Sequence, residues 1–465
     1  MRPPDVKYTR SGDVAIAYQV VGDGSPDVVF LRGFAGDLLS SWDQPLLVRH
    51  IEGLAGNRRL LMLDRRGTGL SDRLREVPSI ESSMDDIRAV MDAERSDRAV
   101  IWTGAMGSGV AALFAATYPE RVAGLMLFDP RARGLASPDY PWAMTADRLR
   151  QRLAMIRARW GERDFMEELA REYAPEMADD DDFVDWLVWH LRRSLSPGAA
   201  LTLARFEMEL DIRDVLPAVR VPTLLLAHPG RTEQARYFAD RIRGSQLVGL
   251  PPLRGLFTWA DDSCHSATME ATSAFIAGLT TAAEPERVLS TVLFTDIVGS
   301  TELAARVGDA RWREILELHH RVVRRTLVRS AGREVDTAGD GFFASFDGPA
   351  RAVQAALTIV RELAELDIVV RAGLHTGEFE IADGKLAGIG VNIGARIAAT
   401  ASAGEVLVSS TVKDLVTGSH IRFEERGAHQ LKGVPSDWTL YAAKASDPQA
   451  PSDAGRISQR IRDSR

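Results

Sequence analysis

Asp296 lies in LSTVLFTDIVGST and Asp340 in REVDTAGDGFFASF. The first ends a run of β-branched and aromatic residues, and the second sits between glycines. That context suits two carboxylates holding Mg²⁺ or Mn²⁺ around a triphosphate. Hard divalent cations take oxygen ligands and keep several of their waters, so few carboxylates suffice. Two such ions can stabilise both the attacking and the leaving oxygen of a phosphoryl displacement. An isolated pair of strand-end aspartates would more often form turns and helix caps. The flanking segments tip the balance toward chemistry.

Those segments follow one another in a fixed order. After FTDIVGST and TAGDGFFASF come RAGLHTGE, VNIGARIAATA and HQLKGV. LSTVLFTD reads as a strand that delivers Asp296, and 301–328 reads as one helix. Backbone N–H groups at that helix start can cradle phosphates. Asp340 falls in the turn of a hairpin. Asn392 and Arg396 are spaced i, i+4, on one helix face.

From about Arg287 to Ala443 these motifs resemble the class III nucleotide cyclase catalytic domain. The resemblance implies an α+β, ferredoxin-like domain with two metal ions, Mg²⁺ or Mn²⁺, per active site. Asp296 and Asp340, with the backbone of Ile297, would ligate them. Asn392 would orient the ribose, and Arg396 would meet charge developing on the α-phosphate. Lys432 and Arg371 match phosphate-binding positions. The implied reaction turns ATP into 3′,5′-cyclic AMP and diphosphate. In the family the aspartates and the Asn/Arg pair come from opposite subunits, so a homodimer is expected.

The base-reading positions depart from the pattern. Where the family has an adenine-reading lysine, this chain has Asp336. Where it has the partner aspartate, this chain has Lys385, with Asp383 two residues away. The charges are reversed. Asp336 can accept from guanine N1–H, and Lys385 can donate to O6. GTP is therefore an alternative substrate, and a mutual salt bridge with loose base reading is another outcome. An inactive nucleotide-binding or dimerisation module is the competing function.

The first part of the chain alternates apolar runs with helical patterns. DVVFLRGF, RRLLMLDRRGTGLSD, AVIWTGAMG, VAGLMLFDP and VPTLLLAHPG read as strands of a mostly parallel sheet covered on both faces. Residues from about Val14 to Gly278 resemble the α/β-hydrolase fold, a doubly wound sheet, with 145–216 as a helical cap. Asp179 to Asp182 read as a helix start, where carboxylates suit the dipole. Hydrolysis needs a nucleophile in a G-x-S-x-G elbow. Here Met106 stands at that position, and a thioether has no proton to lose. Arg231 stands where the acid belongs and Gly255 where the histidine belongs. Arg32-Gly33-Phe34 replaces the usual His-Gly. Ester hydrolysis is thus disfavoured, with Ser108, His228 and His265 the residues left to recruit. A module that regulates the second part, by binding a small-molecule ligand or by interaction, is expected instead, with a scaffold that binds nothing as the alternative.

The chain has 465 residues, a net charge of −8 and one cysteine, Cys264. Length allows several domains. The balance gives no nucleic-acid footprint or polybasic membrane patch. One cysteine excludes an intrachain disulfide and fits a reducing cytoplasm. MRPPDVKYTRSGDVAIAY has no signal-peptide apolar region. Ala99 to Pro119 carries no charge and is long enough for a membrane span, but its clustered glycines favour a strand, turn and helix. No membrane span is expected. The boundaries read as 1–279 for the hydrolase-like domain, 280–286 for a linker, 287–443 for the cyclase domain and 444–465 for a polar tail.

Overall fold

The computed structural model describes residues 3–33, 36–73, 78–279, 287–382, 385–416 and 421–445. The 280–286 linker lies outside them, as does the tail from 446 onward. The described residues divide into two compact units, one within 1–290, 377–388 and 414–418, the other within 291–376, 389–413 and 419–465.

The first unit is built on β1 Lys7–Ser11, β2 Val14–Val21, β3 Asp27–Leu31, β4 Arg59–Leu63, β5 Ala99–Thr103, β6 Val122–Phe128, β7 Thr223–Ala227 and β8 Gln246–Gly249. Their order in the sheet is β1-β2-β4-β3-β5-β6-β7-β8. The first two strands pair antiparallel, as does β2 with β4, and every later pair is parallel. Strands buried on both faces need continuous apolar sequence. AVIWT and TLLLA supply it, and all five residues of each are buried. Helices Ala146–Arg159, Arg163–Tyr173, Asp181–Ser194 and Pro197–Glu209 form the expected cap segment. Asp180 caps the third of them, accepting from Phe183 N at 3.0 Å.

The uncharged segment folds as β5, a tight turn over Ala105–Gly107 and the helix Ser108–Thr117, whose ten residues are all buried. Gly107 is needed there, because a Cβ would lie 1.9 Å from Thr103 Oγ1. Among the described residues no helix is long and apolar enough to cross a membrane. Cys264 is buried, and burial pushes its thiol up to about 11.

The second sheet uses β9 Arg287–Ile297, β10 Arg333–Ala338, β11 Gly341–Phe346, β12 Val370–Ala382, β13 Lys385–Ala387, β14 Val406–Ser409, β15 Ile421–Gln430 and β16 Asp437–Ala445. The order is β10-β11-β9-β12-β14-β16-β15, and β13 pairs with β12. Helix Pro349–Ala364 buries Ala352, Val353, Ala356, Ile359 and Leu363, the spacing of one apolar stripe. The expected single helix over 301–328 is two helices, Ser300–Val307 and Asp309–Arg329. Gly308 divides them at φ +77°. Glycine reaches that left-handed region without steric cost, so the apolar pattern continues while the axis breaks.

Candidate active site

The sheet register brings the two aspartates together. β11 runs antiparallel to β9 with Phe342 opposite Thr295. Asp340, in the β10–β11 turn, therefore falls at the same end of the sheet as Asp296. The two carboxyls are within hydrogen-bond reach of each other. Burial lifts the Asp296 carboxyl above its ordinary range, and Asp340 adds to the lift. Arg371 opposes it, Nη2 donating to Asp296 Oδ2 at 2.9 Å. Asp340 Oδ2 is buried without a hydrogen-bond partner. A crowded carboxylate pair with an orphan oxygen is the donor set a hard divalent cation fits. Among the described residues no group of three or more His, Cys, Asp or Glu side chains could hold a metal. Two carboxylates remain enough when phosphate oxygens and water complete the shell. Ile297, the next residue on β9, has a buried side chain and presents only its backbone.

Arg371 reaches from β12 between two elements. Its Nη1 donates to Ala399 O at 3.1 Å, at the end of helix Ile389–Thr400. That helix lies close against the sheet because glycines permit it. A Cβ on Gly394 would lie 2.8 Å from Val292 Cγ2, and one on Gly373 would lie 2.1 Å from Ala398 N. Ile393, Gly394, Ile397 and Ala398 are buried, while Asn392 and Arg396 are exposed. The helical period puts these two opposite the packed face. Lys432 is exposed in the loop after β15.

Asp336 is exposed on the edge strand β10, beside a register shift between Glu334 and Asp336. Its Oδ1 accepts from Thr337 N at 3.0 Å. The side chain of Lys385 and all of Asp383 lie outside the described residues, so the base-reading pair is an expectation at one partner. Two histidines escaped the sequence reading. His320 Nε2 donates to Gly339 O at 2.9 Å and braces the turn carrying Asp340. His319 is buried behind it, and burial lowers its imidazole to about 4. A His-His pair inside a long helix gives no sign in sequence of which turn it will meet.

The elbow of the first unit differs from a working one. Met106 is partly buried at the turn, with its Cβ 3.4 Å from where a Cβ on Gly33 would stand. Ser108 is fully buried, its Oγ directed at Gly104 O 3.5 Å away. Gly255 is buried against the cap, its N donating to Glu176 Oε1 at 3.1 Å. A Cβ there would meet Glu176 Oε2 at 2.6 Å, so a histidine could not replace it without rearrangement. Arg231 is partly buried in the turn after β7. Of the histidines left to recruit, His228 pairs with Asp129 at 2.7 Å and His265 packs against His50.

Residues 26–178 match the family model for the α/β hydrolase fold, and residues 284–444 that for the adenylate and guanylate cyclase catalytic domain. The chain joins an α/β-hydrolase-fold domain to a class III cyclase domain. It is 31% identical over 168 residues to "Putative adenylate cyclase 3" of Rhizobium meliloti, covering 32% of this chain and 27% of that protein. It is 30% identical over 168 residues to an uncharacterised protein of Mycobacterium tuberculosis, covering 35% of this chain and 59% of the other. The chain thus spans less than two thirds of the length of these relatives. A bromoperoxidase from Bacillus anthracis superposes at a TM-score of 0.50 with 18% identity, over 59% of this chain and all of that one. At that identity the likeness speaks for fold alone.

In the hydrolase-fold domain, restoring the nucleophile should restore nothing. Met106→Ser is expected to leave turnover of p-nitrophenyl acetate at the level of the unaltered chain. With Gly255 and Arg231 at the expected base and acid positions, a serine there would still lack both partners. A tenfold rise in ester turnover would show that His228 or His265 serves as base.

Proposed function

We propose that the chain is a nucleotide cyclase that converts ATP to 3′,5′-cyclic AMP and diphosphate in a homodimer. The observation that carries this reading is the convergence of Asp296 and Asp340 at one end of the second sheet, with an orphaned oxygen on Asp340. These carboxylates would hold two Mg²⁺ or Mn²⁺ ions with the Ile297 carbonyl. When bound, the ions supply positive charge to the 3′-hydroxyl and to the triphosphate oxygens. Asn392 orients the ribose so that its 3′-oxygen faces the α-phosphorus. Arg396 meets the charge that builds on the α-phosphoryl oxygens, where a fixed guanidinium costs no reorganisation. Lys432 and Arg371 hold the leaving diphosphate, Arg371 exchanging its Asp296 contact for phosphate.

GTP is the second reading. Asp336, exposed beside the irregularity in β10, would accept from a base edge rather than donate to it. With Lys385 as donor, the pair complements guanine. The test is cyclic nucleotide formation by the full-length chain with Mn²⁺ or Mg²⁺, from ATP and GTP in parallel. Cyclic AMP as the main product is expected. Mainly cyclic GMP transfers the reading to GTP, and no product from either, with dimers present, makes the domain a binding module.

A further inference from the structure

Four arginines follow parallel strands at one end of the sheet of the hydrolase-fold domain. Arg32 follows β3, Arg65 follows β4, Arg131 follows β6 and Arg231 follows β7. In open α/β sheets this end is where ligands bind. Most of the charge there is spoken for. Arg32 Nη2 stands 3.8 Å from Asp64 Oδ1, and Asp64 also accepts from Leu38 N and Leu70 N. Arg65 Nη1 donates to Glu207 Oε1 at 2.7 Å and to Gly33 O at 2.9 Å. Asp129 Oδ2 lies 2.7 Å from His228 Nδ1, and its Oδ1 accepts from His228 N at 3.3 Å.

Arg131 and Arg231 are left over. Neither side chain makes a hydrogen bond or an ion pair among the described residues, although both are partly buried. They come from adjacent loops, since β6 and β7 are parallel neighbours with Phe128 opposite Leu226. Asp129 and His228 tie the two loops together between them. Arg131 is flanked by Ala132, whose N donates to Tyr140 Oη at 3.1 Å, so its backbone is held. Burial lowers the Arg131 guanidinium below its ordinary value, and the nearby Arg231 lowers it further. Glu207 and Asp129 are within electrostatic range of Arg131, and they also contact Arg65 and His228 respectively. Two guanidiniums on adjacent loops, near enough for one to lower the other, repel each other unless an anion joins them.

The rest of the cleft is apolar. Met106 occupies the nucleophile position, and the ring of Phe128 flanks Gly104, 3.9 Å from where a Cβ would stand. Gly33 lets the backbone approach Met106, whose Cβ stands 3.4 Å from where a Cβ on Gly33 would be. We infer that Arg131 and Arg231 form a binding site for the carboxylate of a small organic acid whose apolar body lies over Met106 and Phe128. Guanidinium forks match a carboxylate in geometry. With Met106 in place of a nucleophile, the acid is held and not transformed.

The experiment is calorimetric titration of the full-length chain with sodium hexanoate, hexanamide and inorganic phosphate. Saturable binding of hexanoate is expected, with hexanamide and phosphate each at least about tenfold weaker. Losing charge-assisted hydrogen bonds costs that much or more. Arg131→Gln with Arg231→Gln is expected to weaken hexanoate at least about tenfold. Arg231→Gln alone, at the more peripheral turn, is expected to weaken it several-fold, and serves if the double variant loses its circular dichroism. Absence of hexanoate binding overturns the inference. So does hexanamide or phosphate binding as tightly as hexanoate, or a folded Gln variant binding like the unaltered chain. The readout is independent of the cyclase domain, so a chain without nucleotide turnover can still pass it.

Discussion

Under the proposed function, alanine at Asp296 is expected to lower cyclic nucleotide formation about a thousandfold or more, because losing a carboxylate that would hold metal removes several kcal/mol of transition-state stabilisation. The same change should leave the melting temperature within a few degrees. Asp296 is held above its ordinary protonation range by burial and by Asp340, so its charge is a cost in the free chain. Removing it relieves that crowding while depriving Arg371 of one partner, and the two effects oppose each other. A structural carboxylate behaves differently, since its loss lowers stability and activity together. Asp296→Asn sharpens the comparison by keeping shape and removing charge, and it is expected to be equally inactive. The assay is product formation at saturating ATP and Mn²⁺, read beside thermal melting. More than a tenth of the activity surviving in either variant would remove Asp296 from the metal site.

Much of this arrangement was legible before any coordinates. The β-branched run before Asp296 had to be a buried strand, and the glycines around Asp340 had to be a turn. Pairing β9 with β11 then put both aspartates at one end. The Asn392/Arg396 spacing and the apolar residues between them fixed which way that helix would face. Met106 at the elbow and Gly255 were the residues that led to the expectation of a domain without ester hydrolysis. Other features depend on contacts that no local pattern encodes. The bridge from Arg371 to both Asp296 and Ala399 joins three segments distant in sequence. His320 braces Gly339 across a helix–turn contact. The break at Gly308 was hidden because the apolar period runs through it on both sides. Arg131 carries no sequence signal of its own. Its lack of a partner emerges only when Arg32 and Arg65 are found beside Asp64 and Glu207.

Two inactive variants mixed together should regain activity. Asn392 and Arg396 face away from the sheet that carries Asp296 and Asp340, and neither makes a side-chain hydrogen bond among the described residues. A helix face held open in this way suits a partner's nucleotide better than its own. If each site draws its aspartates from one protomer and its Asn/Arg pair from the other, Asp296→Ala and Arg396→Ala disable different halves. In a mixed dimer one site then receives both lesions and the other receives neither. Random exchange at equal amounts makes half the dimers mixed, each with one intact site of two. Recovered activity of about a quarter of the unaltered chain is expected for such two-fold pairing. The signal rises from near zero, so a small fraction of it is measurable. It should also fall on dilution below the dissociation constant of the dimer, while the activity per dimer stays constant. No recovery after verified subunit exchange would mean that each protomer completes its own site, and the outward helix face would then need another explanation.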